Sequence, residues 1–180
     1  MILTGMSYVL CLLLFVICYL LLVLLISYHS LFVFFGSKRK KQPQLTLSGN
    51  VQVSNLYLGI TGDVAIPSAS SNSPKTKEAW KAWASASQKN GTPAVVQLNH
   101  PGRQSPAGAG SRGFWTKNIA PSAVKLVFGP GWIERMIAAV GFGTPRAMVP
   151  AEIEGVINMF VDGAKVSEEA GFKGVQIHAA

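Results

Sequence analysis

The chain has 180 residues, 49% apolar and 13% charged, with a formal net charge of +8. Beyond the first fifty positions it offers roughly half of the about 250 residues that a complete (β/α)8 barrel needs. The basic balance does not point to nucleic acid, because no aromatic or glycine-rich binding pattern accompanies the charges.

Met1–Ser37 contains no Asp, Glu, Lys or Arg, and Val9–Ile26 is unbroken in apolar and aromatic residues. That run is long enough to cross a hydrocarbon layer of about 30 Å. Residues 1–37 are therefore expected to be a transmembrane anchor, or else a mis-predicted extension of the reading frame. A cleaved signal peptide fits less well, since there is no basic start and no small-x-small site. Lys38-Arg39-Lys40-Lys41 follows within a basic juxtamembrane linker, 38–44. By the positive-inside rule it places the C-terminal domain in the cytosol; if the N-terminal segment is artefactual, the expectation becomes a cytoplasmic protein. The sequon at Asn90 would then face the cytosol and stay unused. Both cysteines, Cys11 and Cys18, share one helical face of the apolar run, which suits packing or palmitoylation and rules out a disulfide within one straight helix. Without a C-x-x-C or Cys/His cluster, no metal site is proposed.

Residues 45–180 read as one domain. Leu45–Val53 is a strand candidate weakened at Ser48–Asn50. Ser73-Pro74 signals a helix start, as N-cap and first position, for a helix over Lys75–Lys89 ending at Asn90-Gly91. Its packed face is expected at Ala79, Trp83 and Ala86, with Trp80. Thr92–Leu98 is the next strand. Residues 99–150 are rich in Gly and Pro and read mostly as loop, with turns of structure around Trp132–Val140 and a lid over the strand ends as the preferred role. Phe114, Trp115, Phe128 and Trp132 are candidates for packing that excursion down. Glu152–Ala170 spaces Ile153, Val156, Ile157, Phe160, Val161 and Ala164 as a buried helical stripe, and Gly171 stops it. Lys173–His178 then reads as a buried parallel strand.

Two of these strands end in polar groups. Val95-Val96-Gln97-Leu98-Asn99-His100 runs into a Pro-Gly turn and Arg103, and Gly174-Val175-Gln176-Ile177 delivers His178. Strand, loop, helix and strand with side chains delivered at the carboxyl ends is the repeat of a (β/α) barrel. The paired motifs, Gln97–Gln104 and Glu169–Ala180, resemble the Old Yellow Enzyme family of FMN-dependent NAD(P)H:flavin oxidoreductases and ene-reductases, over a stretch from near Gly49 to the last residue.

The resemblance implies an α/β fold, an incomplete TIM barrel of roughly half the strands, with FMN at its carboxyl mouth. It assigns Gln97 to the pyrimidine edge of the flavin, which an amide suits by offering donor and acceptor side by side; a polar cap on a barrel layer is the alternative. It makes Leu45–Val53 the second barrel strand, in which Gly49 would let backbone approach the flavin, or would form a bulge or turn. His178 corresponds to the first member of a His-x-x-His or His-x-x-Asn pair that binds the substrate's carbonyl or nitro oxygen and polarises it. The second member and the family's proton-donating Tyr have no counterpart in the sequence, and neither have the phosphate-binding loops after the seventh and eighth strands. His100 and Arg103 suit surface or loop-stabilising roles. The expected activity is ping-pong: NAD(P)H reduces FMN, and FMN passes hydride to an activated alkene, weakly or not at all in so partial a barrel. The alternatives are a non-catalytic membrane-anchored barrel remnant or gene-model fragment, and another phosphate-binding barrel.

Overall fold

The computed structural model describes residues 45–67 and 73–179. The anchor expected over 1–37 and the linker 38–44 lie outside those residues. Among the described residues, no helix is long and apolar enough to cross a membrane.

Three parallel strands form the central sheet: β1 (Thr46–Gln52), β2 (Ala94–Asn99) and, from the chain's end, β5 (Gly174–Ile177), in the order β1-β2-β5. Helix α1 (Pro74–Ser87) connects β1 to β2, and α3 (Pro150–Ala170) leads into β5. Between them lies an excursion with two short parallel strands, β3 (Ile119–Ala120) and β4 (Arg146–Ala147), flanking α2 (Trp132–Gly141). The sheet is open, so the barrel is represented only in part.

Side chains alternate across β2 because the strand period is two. Ala94, Val96 and Leu98 face the helix layer and are fully buried, against Trp80 and Ala84 of α1 and Met159, Phe160 and Ala164 of α3. Trp80, Trp83 and Phe172 meet edge to face, with ring centroids 5.1 to 6.3 Å apart. Gly163 is the point where α3 comes closest. A Cβ there would lie 3.1 Å from Leu98 Cδ2 and 3.3 Å from Ile66 Cγ1, tighter than side chains normally pack.

The helix starts follow local chemistry. Ser73 caps α1 by accepting from the Thr76 amide at 3.2 Å, and Pro74 occupies the first turn, where its missing N–H costs nothing. At the start of α3 the Glu152 carboxylate accepts from the Val149 amide at 2.9 Å and from Arg146 Nη1 at 2.8 Å. Those contacts hold its pKa down at about 2. Gly171 ends α3 in the left-handed region, at φ 95°.

Several expectations are corrected. In α1 the buried positions are Trp80 and Ala84, with Trp83 half-buried, while Ala79 and Ala86 are exposed. In α3 half of the expected stripe holds and half does not: Val156, Phe160 and Ala164 are half-buried, the last two against the core, whereas Ile153, Ile157 and Val161 are exposed and the buried residues are Gly163, Ser167 and Ala170. Close approach to β2 selects small residues, which hydrophobic periodicity does not count. Residues 99–150 contain a ten-residue helix where only turns were expected. The four aromatic residues assigned to pack this excursion down are exposed, Trp115 by 92% and Trp132 by 73%. Strand β5 is parallel as expected but not buried, with Ile177 63% exposed, because the sheet ends there.

Leu98→Ala should lower stability by about 2–5 kcal/mol. Urea unfolding followed by tryptophan fluorescence measures it, and a loss under about 1 kcal/mol would contradict the packing described for the sheet and helix layer.

Candidate active site

In a parallel sheet all carboxyl ends lie on one rim, and here that rim carries the polar residues. The register pairs Asn50 with Gln97 and Gln52 with Asn99 on one side, and Gln97 with Gln176 on the other. The ladder continues past β5, since the His178 amide donates to Leu98 O at 2.8 Å. By strand parity Gln97, Gln176 and His178 share the sheet face opposite the helices. Gln97 Nε2 donates to Gln176 Oε1 at 2.7 Å.

Strand β1 reaches this register through a bulge. Between the pairs Leu47–Val95 and Asn50–Gln97 it spends one residue more than β2. The extra residue interrupts the ladder. The Ser48 hydroxyl repairs the gap by accepting from the Gln97 amide at 3.0 Å and donating to Gly49 O at 2.7 Å. Gly49 sits in the bulge at φ 76°, a conformation that L side chains rarely adopt. The bulge that was one of two readings for Gly49 is therefore present, and a Cβ at this residue would meet only open space.

Along the same rim runs a buried polar chain that sequence reading missed. Gln52 is 1% exposed. Its Oε1 accepts from Asn99 Nδ2 at 3.0 Å, and its Nε2 donates to Asp63 Oδ2 at 2.8 Å. The same carboxylate oxygen accepts from the amides of Gly59 and Ile60, both at 3.0 Å. The chain ties the carboxyl ends of β1 and β2 to the loop between β1 and α1. Amide and carboxylate residues eleven and forty-seven positions apart carry no local pattern, so only the tertiary structure reveals them.

His100 and Arg103 part company after β2. Arg103 is exposed, whereas His100 packs beside Tyr57, with ring centroids 5.6 Å apart. The His100 Nδ1 accepts from the Gly102 amide at 3.2 Å, which puts the proton of the neutral ring on Nε2. Nε2 is buried and, among the described residues, has no hydrogen-bond partner. Burial lowers the His100 pKa below its ordinary value, outweighing its backbone hydrogen bond. Arg112 lies over the same tyrosine, its Cζ 5.2 Å from the ring centroid. Its guanidinium binds Ser105 Oγ at 2.6 Å and the carbonyls of Leu56, Ser105, Pro106 and Ala109. A buried arginine held by carbonyls clasps the loop after β2 onto the loop after β1. The pocket between α1 and α3, lined by Lys77, Trp80, Lys81 and Glu169, lies on the helix layer and takes no part in the rim.

The fold and the rim define a class: a parallel (β/α) unit with amide and imidazole side chains at the carboxyl ends of adjacent strands. The NADH:flavin oxidoreductase / NADH oxidase family profile matches residues 51–180, and the chain belongs to that family. It is 47% identical over 135 residues to the NADH-dependent flavin oxidoreductase iliE of Neonectria sp. (strain DH2), an alignment covering 75% of this chain and 18% of the relative. To the iliE protein of Hypocrea jecorina (strain QM6a) it is 43% identical over 136 residues, 76% of this chain and 34% of that one. Among solved structures it resembles the old yellow enzyme homologue from Zymomonas mobilis, with a TM-score of 0.57 and 27% identity over 75% of this chain and 35% of that one. Morphinone reductase in complex with tetrahydroNAD matches with a TM-score of 0.59 and 26% identity, over 76% of this chain and 36% of its own. The chain thus spans about a third or less of the length of these relatives.

Two outcomes follow from the rim. Gln52→Leu leaves the Asp63 carboxylate and the Asn99 amide each short of a partner, and should cost about 1–3 kcal/mol in urea unfolding. Because the His100 pKa is lowered in the fold, the imidazole contributes stability above its ordinary 6.5 that is lost as pH falls through the lowered value. The urea midpoint should drop between pH 7.5 and 5, and the drop should be smaller in His100→Asn. Equal slopes in the two proteins would contradict the buried neutral imidazole.

Proposed function

We propose that this chain supplies part of an FMN-dependent oxidoreductase that uses NAD(P)H to reduce a small activated alkene or related electrophile. Support comes from membership of the flavin oxidoreductase family together with one observation. Gln97 and His178 stand on the same face of hydrogen-bonded parallel neighbours, at the end of the sheet where (β/α) enzymes work.

The residues present fit the pyrimidine edge of a flavin. With one Nε2 hydrogen committed to Gln176, Gln97 keeps Oε1 as an acceptor and a second N–H as a donor. The flavin edge alternates carbonyl and imide N–H, so one amide can read two adjacent groups. Gly49 in the bulge leaves the neighbouring surface of β1 free of a side chain. When bound, FMN supplies the redox chemistry, accepting a hydride from NAD(P)H and delivering it to the electrophile. His178 donates a hydrogen bond to the electrophile's carbonyl or nitro oxygen, and stabilises the negative charge that develops there. In the same reading, residues 1–37 are a membrane anchor or a mis-predicted extension, 38–44 a basic linker ahead of the 45–180 domain, and the 99–150 excursion a lid.

Full-length chain purified in detergent should carry a yellow chromophore near 1:1, and Gln97→Leu should weaken FMN binding about five- to tenfold, the worth of one ordinary hydrogen bond. A colourless protein that does not quench added FMN fluorescence would favour a non-catalytic barrel remnant. The anchor predicts that the full chain stays in the membrane pellet after alkaline carbonate washing; release into the supernatant would remove that part of the proposal.

A further inference from the structure

An isolated glutamine on a strand can present either end of its amide, since the two faces differ by a rotation of 180° about the last torsion. Gln97 is not isolated. Its register partner on β5 is Gln176, and the two side chains meet on the open face of the sheet at 2.7 Å, Gln97 Nε2 donating to Gln176 Oε1. Backbone contacts fix the two strands that carry the pair. The Gln97 amide is tied to Ser48, and the β2–β5 ladder runs from the Lys173 amide on Ala94 O to the His178 amide on Leu98 O, 2.8 Å each. Among the described residues, Gln97 Oε1 has no partner.

We propose that Gln176 is a positioning residue for the Gln97 amide: it engages Nε2 and so turns Oε1 outward as the acceptor offered to an imide N–H of the bound ring. The inference rests on the reading of Gln97 as a flavin contact, but the orientation itself belongs to the protein alone. An acceptor at residue 176 is what the arrangement needs, whatever its charge. A carboxylate can do the work of the amide oxygen, and an aliphatic side chain cannot. Gln176 also stands two residues before His178 on the same face, so the strand that presents the imidazole to the substrate also orients the amide beside the cofactor.

The test compares the full chain with Gln176→Leu and Gln176→Glu. Side-chain amide resonances of Gln97, assigned by its own Gln97→Leu variant in detergent micelles without flavin, should show one hydrogen-bonded Nε2 proton. That signature should be lost in Gln176→Leu and kept in Gln176→Glu. In an FMN fluorescence titration, Gln176→Leu should weaken binding about fivefold, close to the effect expected of one ordinary hydrogen bond, and Gln176→Glu should restore it. Gln97 resonances that are the same in all three proteins would overturn the positioning role whether or not flavin binds. Failure of the glutamate variant to rescue the leucine defect would overturn it too. A wild-type chain that keeps the resonance signature but binds no FMN would instead sink the functional reading and leave the orientation standing.

Discussion

Strand β2 is hydrogen-bonded on both sides, and its register fixes where every polar group on the rim can stand. Parallel pairing allows no local turn to set the alignment, so the alignment comes from burial. Val96 and Leu98 must face the helix layer, and a slip of one residue would turn them to the opposite face and put Gln97 into the core. The penalty for that exchange, two apolar side chains exposed and an amide buried without partners, far exceeds the gain from any single rim contact. Position at the rim is therefore inherited from packing behind it.

Within that frame, two kinds of polar group divide the strand ends. The Gln52, Asn99 and Asp63 chain is buried and linked by side-chain hydrogen bonds, which is how a buried polar network becomes a rigid support. Arg112 does a similar task for the loops, its buried charge balanced by carbonyl dipoles in the absence of a carboxylate partner among the described residues, and burial lowers its pKa accordingly. Gln97, Gln176 and His178 stand on the same sheet face but open to solvent, with hydrogen-bonding capacity left over. Spare capacity on a rigid support is what distinguishes a binding surface from a structural one.

Parallel sheets are ordinarily covered on both faces. Among the described residues helices cover one face only, and apolar groups such as Ile177 on β5 and Ile157 on α3 are exposed. The relatives are about three to six times longer than the stretch they share with this chain, so the shared stretch is a sub-assembly of their fold. The bulge at Gly49, the paired amides and the imidazole all fall inside it.

The amino-acid sequence by itself determined the helix start at Ser73-Pro74, the stop at Gly171, the alternation of strand, helix and strand, and the two motifs that mark the family. These are local signals, written by capping geometry, backbone freedom and strand period, and they need no distant partner to be read. Only the tertiary structure decided which face of α3 is buried, because close approach at Gly163 selects smallness, not hydrophobicity. Only it brought Gln176 onto Gln97, Gln52 onto Asn99 and Asp63, and Arg112 over Tyr57. Those contacts join positions from eleven to seventy-nine residues apart, and pairing across such separations is set by sheet register and loop closure, which leave no periodicity along the chain.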